Sequence, residues 1–371
     1  MLENERIAPE KILGAMNVGV YVCERNRRIV YWSKRAEAIT GWQAEDVIGH
    51  SCRDNILNHI DKDGRPLCGE ESCPLHRTMV TGLEADVPII VFAQGKDGRR
   101  IPMQVNVAPL CNAAGEVIGG VETFRDLTPE MPDLRRAHRI QQRLLEDALP
   151  QDPRLLFTTF YRALDMVGGD FYAISAETED CYAFMLADVE GHGLAAALSG
   201  MHLSYVWNKY SALRTAPGAF AAAANDDLVK VFGPDSSFAT AVCGIFDAGT
   251  GRLRIAGAGG PPALLLQPGA APRWIHAPGI PLGVAVDSVF PETETVLAPG
   301  DRFMMCTDGA FEVHNAARKE LGMEGFLRIL DLLDYPRREL RLERLEEELL
   351  KYSNNIRLQD DLTIILLEYG V

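Results

Sequence analysis

The chain has 371 residues, of which 47% are hydrophobic and 24% charged, and its formal net charge is −15. That length exceeds the ~100–200 residues of one ordinary domain, so two units with their own cores are expected, and the acidic balance with no basic, aromatic-interleaved cluster argues against a nucleic-acid partner. Apolar stretches fall well short of the ~18 residues of a membrane span; the opening MLENERIAPEKILG lacks the apolar core of an export signal, so a cytoplasmic protein with reduced cysteines is expected.

Between about residues 11 and 128, short apolar runs alternate with turn signals. GVYVCERNRRIVYW is followed by a helical stretch through RAEAITGW, and VPIIVFAQGKDGRRIPMQVNVAPLCNAAGEVIGGVETF reads as three strands. KDG and NAAGE are hairpin turns, and Ile101, Met103, Val105 and Val107 alternate with polar or small neighbours as a half-buried strand requires. VYWSKRAEAITGWQAEDVIGHS and GKDGRRIPMQVNVAPLCNAAGEVIGGVETFRDLT together resemble a PAS sensor domain, over residues 8–128. The resemblance implies a five-stranded antiparallel sheet with helices on one face and a pocket between them, but names no ligand for that pocket. Within this segment HSCRDNILNHIDKDGRPLCGEESCPLHRTM gathers Cys52, His59, Cys68, Cys73 and His76. Thiolates with imidazole suit zinc, an iron–sulfur cluster or, through histidine, haem, yet the C-x15-C-x4-C spacing matches no standard pairing, and buried or incidental thiols are the competing account. Cys23, Cys111, Cys181, Cys243 and Cys306 lie in apolar strands and are expected to pack as small hydrophobes.

Prolines bracket the next segment, PEMPDLRRAHRIQQRLLEDALPQDP, in which Leu134, Ala137, Ile140, Leu144 and Ala148 recur at helical spacing. An amphipathic linker helix over 129–153 is expected, lying on its own domain or pairing with a second copy as a parallel coiled coil. Beyond residue 154, strands such as CYAFMLADV, FATAVCGIFDA, GRLRIAGAG, DRFMMCTDG and DLTIILLEY alternate with helices such as LAAALSGMHLSYVWNKYSAL and RRELRLERLEEELLKYS. PGAFAAAAND is Ala-rich, and no repeat is visible.

Several of these strands end or begin at aspartate: Asp170 in MVGGDFY, Asp188 in FMLADVEGHG, Asp308 in FMMCTDGAFE, and Asp360 with Asp361 in RLQDDLTIILL. An acid at a strand end is often only a turn or capping residue. Four such acidic sites beside apolar strands without an adjacent Lys or Arg are nevertheless costly to desolvate, and a bound divalent ion removes that cost. Oxygen-only ligands favour hard Mg2+ or Mn2+ over Zn2+. In order and separation, MVGGDFY, ADVEGHGLAAAL, AGAGGPPALLL, GIPLGV, LAPGDRFMMCTDGAFE and DDLTIILL resemble the motif series of SpoIIE-type phosphatases, a bacterial branch of the metal-dependent PPM Ser/Thr phosphatases, over residues 154–371.

The resemblance implies an α+β chain: a PAS fold, a helical linker, and a PPM α-β-β-α sandwich hydrolysing phosphoserine or phosphothreonine at two Mn2+ or Mg2+ ions, without a covalent phosphoenzyme. Asp188 stands where the family bridges both ions and Val189 where it lends a main-chain carbonyl; Asp308 and Asp360 resemble ligands of the second ion, and Asp170 an acid bound directly or through water. Asp361 competes with Asp360, because neighbouring strand residues face opposite ways. The family's second acid after VGGDFY is Ala173 here, and its Asn-Ala-Gly-His is Gly257-Ala258-Gly259-Gly260; neither change touches an assigned ligand. His192 suits a general acid near neutrality or simply orders the GHG turn. The implied substrate is a STAS-type anti-anti-sigma protein in a partner-switching pathway, and the implied assembly a homodimer through the PAS domain and linker. The alternatives are a pseudo-phosphatase that only binds a phosphoprotein, and a metal or redox sensor whose back half is a docking scaffold.

Overall fold

Ile101, Met103, Val105 and Val107 are all buried, as their alternation requires, on the longest strand of the antiparallel sheet that builds the front unit. The computed structural model describes residues 9–370 apart from 55, 70–72, 84–88, 147, 192, 234–236, 316 and 354–357. Its packing divides the chain into two compact units between Asp133 and Leu134.

The front unit contains β1 (Gly19–Glu24), β2 (Ile29–Trp32), β3 (Ile89–Gln94), β4 (Arg100–Cys111) and β5 (Val117–Asp126), all antiparallel, in the order β2-β1-β5-β4-β3. The turn chemistry is local: Asn112 Oδ1 accepts from Ala114 N at 2.9 Å and Glu116 N at 3.0 Å, closing the β4–β5 hairpin. Helix Lys34–Thr40 is set by Ser33, whose side chain caps Ala36 N, and ends at Gly41 with φ 77°. Helix Pro74–Thr81 begins on a proline, ends on Gly82, and packs on β4 and β5.

In the back unit the apolar strands are covered on both faces, which is why they read as nearly unbroken hydrophobic runs. The strands are β6 (Leu155–Arg162), β7 (Phe171–Ala176), β8 (Cys181–Val189), β9 (Ala239–Asp247), β10 (Arg252–Ala258), β11 (Ala263–Leu266), β12 (Arg273–Ile275), β13 (Glu292–Val296), β14 (Arg302–Cys306) and β15 (Leu362–Tyr369). They form two sheets ordered β13-β10-β9-β8-β7 and β12-β11-β14-β15-β6. Along β8, Tyr182, Phe184 and Leu186 pack with Phe303 and Met305 of β14 and Ile365 and Leu367 of β15, between the sheets. The intervening Ala183, Met185, Ala187 and Val189 pack outward with Leu203 and Trp207 of helix Leu194–Lys209 and Phe220 and Leu228 of helix Pro217–Phe232. On the far side Met304, Cys306, Ile364 and Leu366 meet helices Gly322–Leu332 and Leu342–Ser353. The result is helix, sheet, sheet, helix. Each large side chain buried between the sheets, such as Phe184 against Phe303 with ring centroids 6.1 Å apart, contributes roughly 1.5–3 kcal/mol.

The Ala-rich PGAFAAAAND is the first part of helix Pro217–Phe232, since alanine is the best helix former. Two local readings need correction. Cys111 is exposed at the end of β4 rather than packed in a core. The linker helix spans Met131–Leu145, and its expected apolar stripe is not its buried side: Ile140 is 47% exposed, Leu134, Ala137 and Leu144 are half-buried, Ala148 is exposed beyond the helix end, and the side that closes off after Leu134 is Gln141 with Leu145. Among the described residues no helix is long and apolar enough to cross a membrane.

Candidate active site

Strand register assembles the acids. β7 runs antiparallel to β8 with Phe171 opposite Ala187, which sets Asp170 beside Asp188 at one end of the first sheet. β14 and β15 pair with Cys306 opposite Ile364, and Thr307 N donates to Thr363 O at 3.0 Å, which sets Asp308 beside Asp360 and Asp361 at one end of the second. Asp188 continues the parity of Tyr182, Phe184 and Leu186, so its carboxyl enters the space between the sheets. A bond across that space joins the two halves: Asp170 Oδ2 accepts from Thr307 Oγ1 at 3.0 Å and Thr363 Oγ1 at 2.5 Å, while Thr363 N donates to Thr307 Oγ1 at 2.9 Å.

The cluster carries more negative charge than its surroundings neutralise. Burial, then the nearby Asp308 and Asp360, push the Asp188 carboxyl up to about 8. Burial, Asp360 and Glu312 push Asp308 up to about 6. Asp170 is 1% exposed and driven well above the carboxylate range by burial, Asp361 and Asp188. Groups in this condition are stabilised by a cation placed among them. Asp170 Oδ1 is fully buried with no hydrogen-bond partner, although Oδ2 of the same carboxyl has two. Among the described residues no three His, Cys, Asp or Glu side chains are gathered tightly enough to form a ready-made cage, so the carboxylates meet here as interacting neighbours. The donor set still fits hard divalent ions: several buried carboxylates, an orphaned carboxyl oxygen, and a main-chain carbonyl beside the Gly169 turn. That carbonyl is Val189's; a Cβ on Gly169 would come within 2.8 Å of its oxygen, so only glycine lets the turn pass there.

Asp360 and Asp361 divide their work. Asp361 is 2% exposed, and its two oxygens accept from Leu164 N at 2.7 Å and Gly169 N at 2.6 Å, so it fastens loops. Asp360 accepts from Asp361 N at 2.8 Å through Oδ1 and acts electrostatically on Asp188 and Asp308. Gly309 is needed because a Cβ there would stand 2.0 Å from the Asp361 carbonyl oxygen. His192 lies outside the described residues. Thr307 and Thr363 belong to the site although neither is an acid; their signal in the chain is a hydroxyl residue beside each acidic strand end, in CTDG and DDLT.

The cysteine- and histidine-bearing segment of the front unit is arranged differently. Cys68 Sγ accepts from His59 N at 3.1 Å, Cys73 precedes helix Pro74–Thr81, and Cys52 N bonds Arg27 O at 3.0 Å. The Cys52 thiol, hydrogen-bonded with Cys23 and beside Arg27, is drawn down to about 6, whereas burial lifts Cys68 to about 11 and Cys73 to about 12. Here too no three of these groups form a metal cage. His59 Nε2 and Glu122 Oε1 stand 3.7 Å apart and both lack a hydrogen bond. They do not form an ion pair near neutrality, because burial lowers His59 to about 4 and raises Glu122 to about 8; Tyr21 Oη donates to the other Glu122 oxygen at 3.0 Å. Since the folded pKa of Glu122 exceeds its unfolded value of 4.5, the folded state keeps a proton that the unfolded state gives up, and stability falls as pH rises from about 4.5 to about 8. Glu122→Gln is therefore expected to raise the front unit's calorimetric transition by a few kcal/mol at pH 8 and to change it little at pH 4.5. An equal effect at both pH values contradicts a proton held there.

A family model described as Stage II sporulation protein E matches residues 178–370, and one described as a PAS fold matches residues 13–131. Phosphoserine phosphatase RsbP of Bacillus subtilis is 25% identical over 183 residues, covering 48% of this chain and 45% of that protein, so the chain spans less than half of that relative's length. The SiaA-PP2C domain of Pseudomonas aeruginosa superposes with a TM-score of 0.56 at 22% identity, covering 66% of this chain and 99% of the other. The RsbU and RsbW domains of a Mycobacterium tuberculosis protein superpose with a TM-score of 0.50 at 25% identity, over 60% of this chain and 61% of theirs. The front unit has a PAS fold and the back unit a PP2C-type fold.

Proposed function

Because this chain belongs to the SpoIIE family, we propose that its back unit is a metal-dependent phosphatase that removes phosphate from serine or threonine of a partner protein, under the control of the PAS unit. One observation carries the reading: strand register in two facing sheets delivers Asp170, Asp188, Asp308 and Asp360 to one end of the sandwich, where they raise one another's affinity for positive charge. Asp188, the Val189 carbonyl, Asp308 and Asp360 would hold two Mn2+ or Mg2+ ions, with the buried Asp170 bound directly or through water. When bound, such ions supply water activation and neutralise the charge that develops on phosphorus oxygens. The chain's own residues hold the site ready: Thr307 and Thr363 fix the Asp170 carboxyl, and Asp361 fixes the Gly169 amide.

The similarity to phosphoserine phosphatase RsbP supports phosphoserine as substrate. The motif series favours a STAS-type anti-anti-sigma protein as its carrier, in a cytoplasmic partner-switching pathway. The half-exposed stripe of Leu134, Ala137, Ile140 and Leu144 supports a homodimer through the linker helix and PAS domain. The test is turnover of p-nitrophenyl phosphate and of a phosphorylated STAS protein with Mn2+ and with EDTA. Turnover that appears with Mn2+ and vanishes with EDTA is expected; binding of the phosphoprotein without hydrolysis in Mn2+ overturns the catalytic reading in favour of a sequestering module.

A further inference from the structure

Arg27 in the front unit is 4% exposed, an uncommon place for a guanidinium. Its Nη1 donates to Gly69 O at 3.2 Å, while Nε and Nη2 are buried with no hydrogen-bond partner. The β1–β2 turn fixes it there: Arg27 N donates to Glu24 O at 2.8 Å, Glu24 N to Arg28 O at 2.9 Å, and Arg27 is held at φ 70°, which disfavours a residue with a Cβ. The same turn receives Cys52. Cys52 N donates to Arg27 O at 3.0 Å and Ser51 bridges Arg28, which brings the Cys52 thiol beside the guanidinium and into a hydrogen bond with the thiol of Cys23 on β1. Cys23 is fully buried and Cys52 only partly covered, so a small reagent reaches the second and not the first. The hydrogen bond with Cys23, and then Arg27, draw Cys52 down to about 6 against its burial, which makes it largely thiolate near neutrality. Glu122 adds little opposing charge, since burial lifts it to about 8.

We propose that Cys52 is a modification site for hydroperoxides and Cys23 its resolving thiol, so that the front unit closes an internal disulfide at the Arg27 turn. In the first step the Cys52 sulfur attacks one oxygen of the hydroperoxide. An S–O bond forms, the O–O bond breaks, and the second oxygen leaves with a proton from solvent as water or an alcohol. The unpartnered Nε–H and Nη2–H of Arg27 are the donors for that leaving oxygen. In the second step the Cys23 sulfur attacks the Cys52 sulfenic acid: the S–S bond forms, the S–O bond breaks, and the hydroxide leaves as water with the proton of Cys23. The two sulfurs give up two electrons in all, and the hydroperoxide takes both. Neither step involves the back unit or its metal.

The experiment treats reduced full-length protein with one equivalent of hydrogen peroxide, follows the loss of thiols with time, and maps the alkylated, unreduced peptides by mass spectrometry. Wild type is compared with Cys23→Ser, Cys52→Ser, Arg27→Gln, and Cys111→Ser as a control at an exposed thiol. Wild type is expected to lose two of its eight thiols as a Cys23–Cys52 disulfide that dithiothreitol reopens. Cys23→Ser is expected to stop at a dimedone-reactive sulfenic acid on Cys52, Arg27→Gln to react about 10–100-fold more slowly, and Cys111→Ser to match wild type. Oxidation that begins at another cysteine, or a disulfide joining Cys52 to Cys68 or Cys73, overturns the inference, as does metal found on these thiols by elemental analysis of the purified protein. Should Cys23→Ser not fold, the wild-type peptide map and Cys52→Ser decide: thiol loss as fast in Cys52→Ser as in wild type overturns it.

Discussion

Asp188→Asn is expected to lower Mn2+-dependent turnover about 10³-fold or more without lowering the melting temperature of the metal-free protein. The size follows from the several kcal/mol of charge stabilisation that ions at such a site supply, at about 1.4 kcal/mol per decade of rate. The opposite behaviour of stability follows from the site's own electrostatics. Asp188 is pressed by Asp308 and Asp360 in a buried setting, and asparagine of the same shape removes one of the repelling charges. Activity is read with p-nitrophenyl phosphate and stability by calorimetry in EDTA. Loss of turnover accompanied by a large fall in melting temperature contradicts the account, because it makes Asp188 a structural acid like its neighbour Asp361.

Asp361→Ala is expected to behave in that other way. Its carboxylate is the acceptor for Leu164 N and Gly169 N, and both amides stay buried when it is truncated. Each orphaned donor costs about 1–3 kcal/mol, so the back unit is expected to lose roughly 2–5 kcal/mol and to melt about 5–15 °C lower, with turnover falling because the Gly168–Gly169 turn is no longer fixed. Asp360→Ala, by contrast, is expected to spare the melting temperature and to reduce Mn2+ binding. If the two substitutions exchange these effects, the division of labour between the adjacent acids is reversed.

The order of strands and motifs was legible because both sheets of the back unit are covered on each face, so that CYAFMLADV and DLTIILLEY stand out as unbroken apolar runs ending at acids. The pairing of Asp170 with Asp188 was not, since it depends on which residue of β7 faces Ala187, and register is a property of two strands. For the same reason the sequence leaves Asp360 and Asp361 as alternatives; what sets them apart in the structure is that Asp361 accepts from Leu164 N and Gly169 N. In the linker the periodicity of Leu134, Ala137, Ile140 and Leu144 correctly marked a helix but not its packed side, because the buried contact is made by a polar residue, Gln141, to which hydrophobic periodicity is blind. Thr307 and Thr363 escaped notice on similar grounds: a threonine in a strand is ordinary until its hydroxyl is found on a buried carboxyl.

The most direct test is a crystal of the back unit within the full chain, grown in excess Mn2+ and measured at the manganese absorption edge. Two anomalous peaks contacted by Asp188, with Asp308 and Asp360 on one of them, are expected. Peaks elsewhere, or none, with the four carboxyl groups still pairing only with protein, contradict the claim that this end of the sandwich is a metal-dependent phosphatase centre.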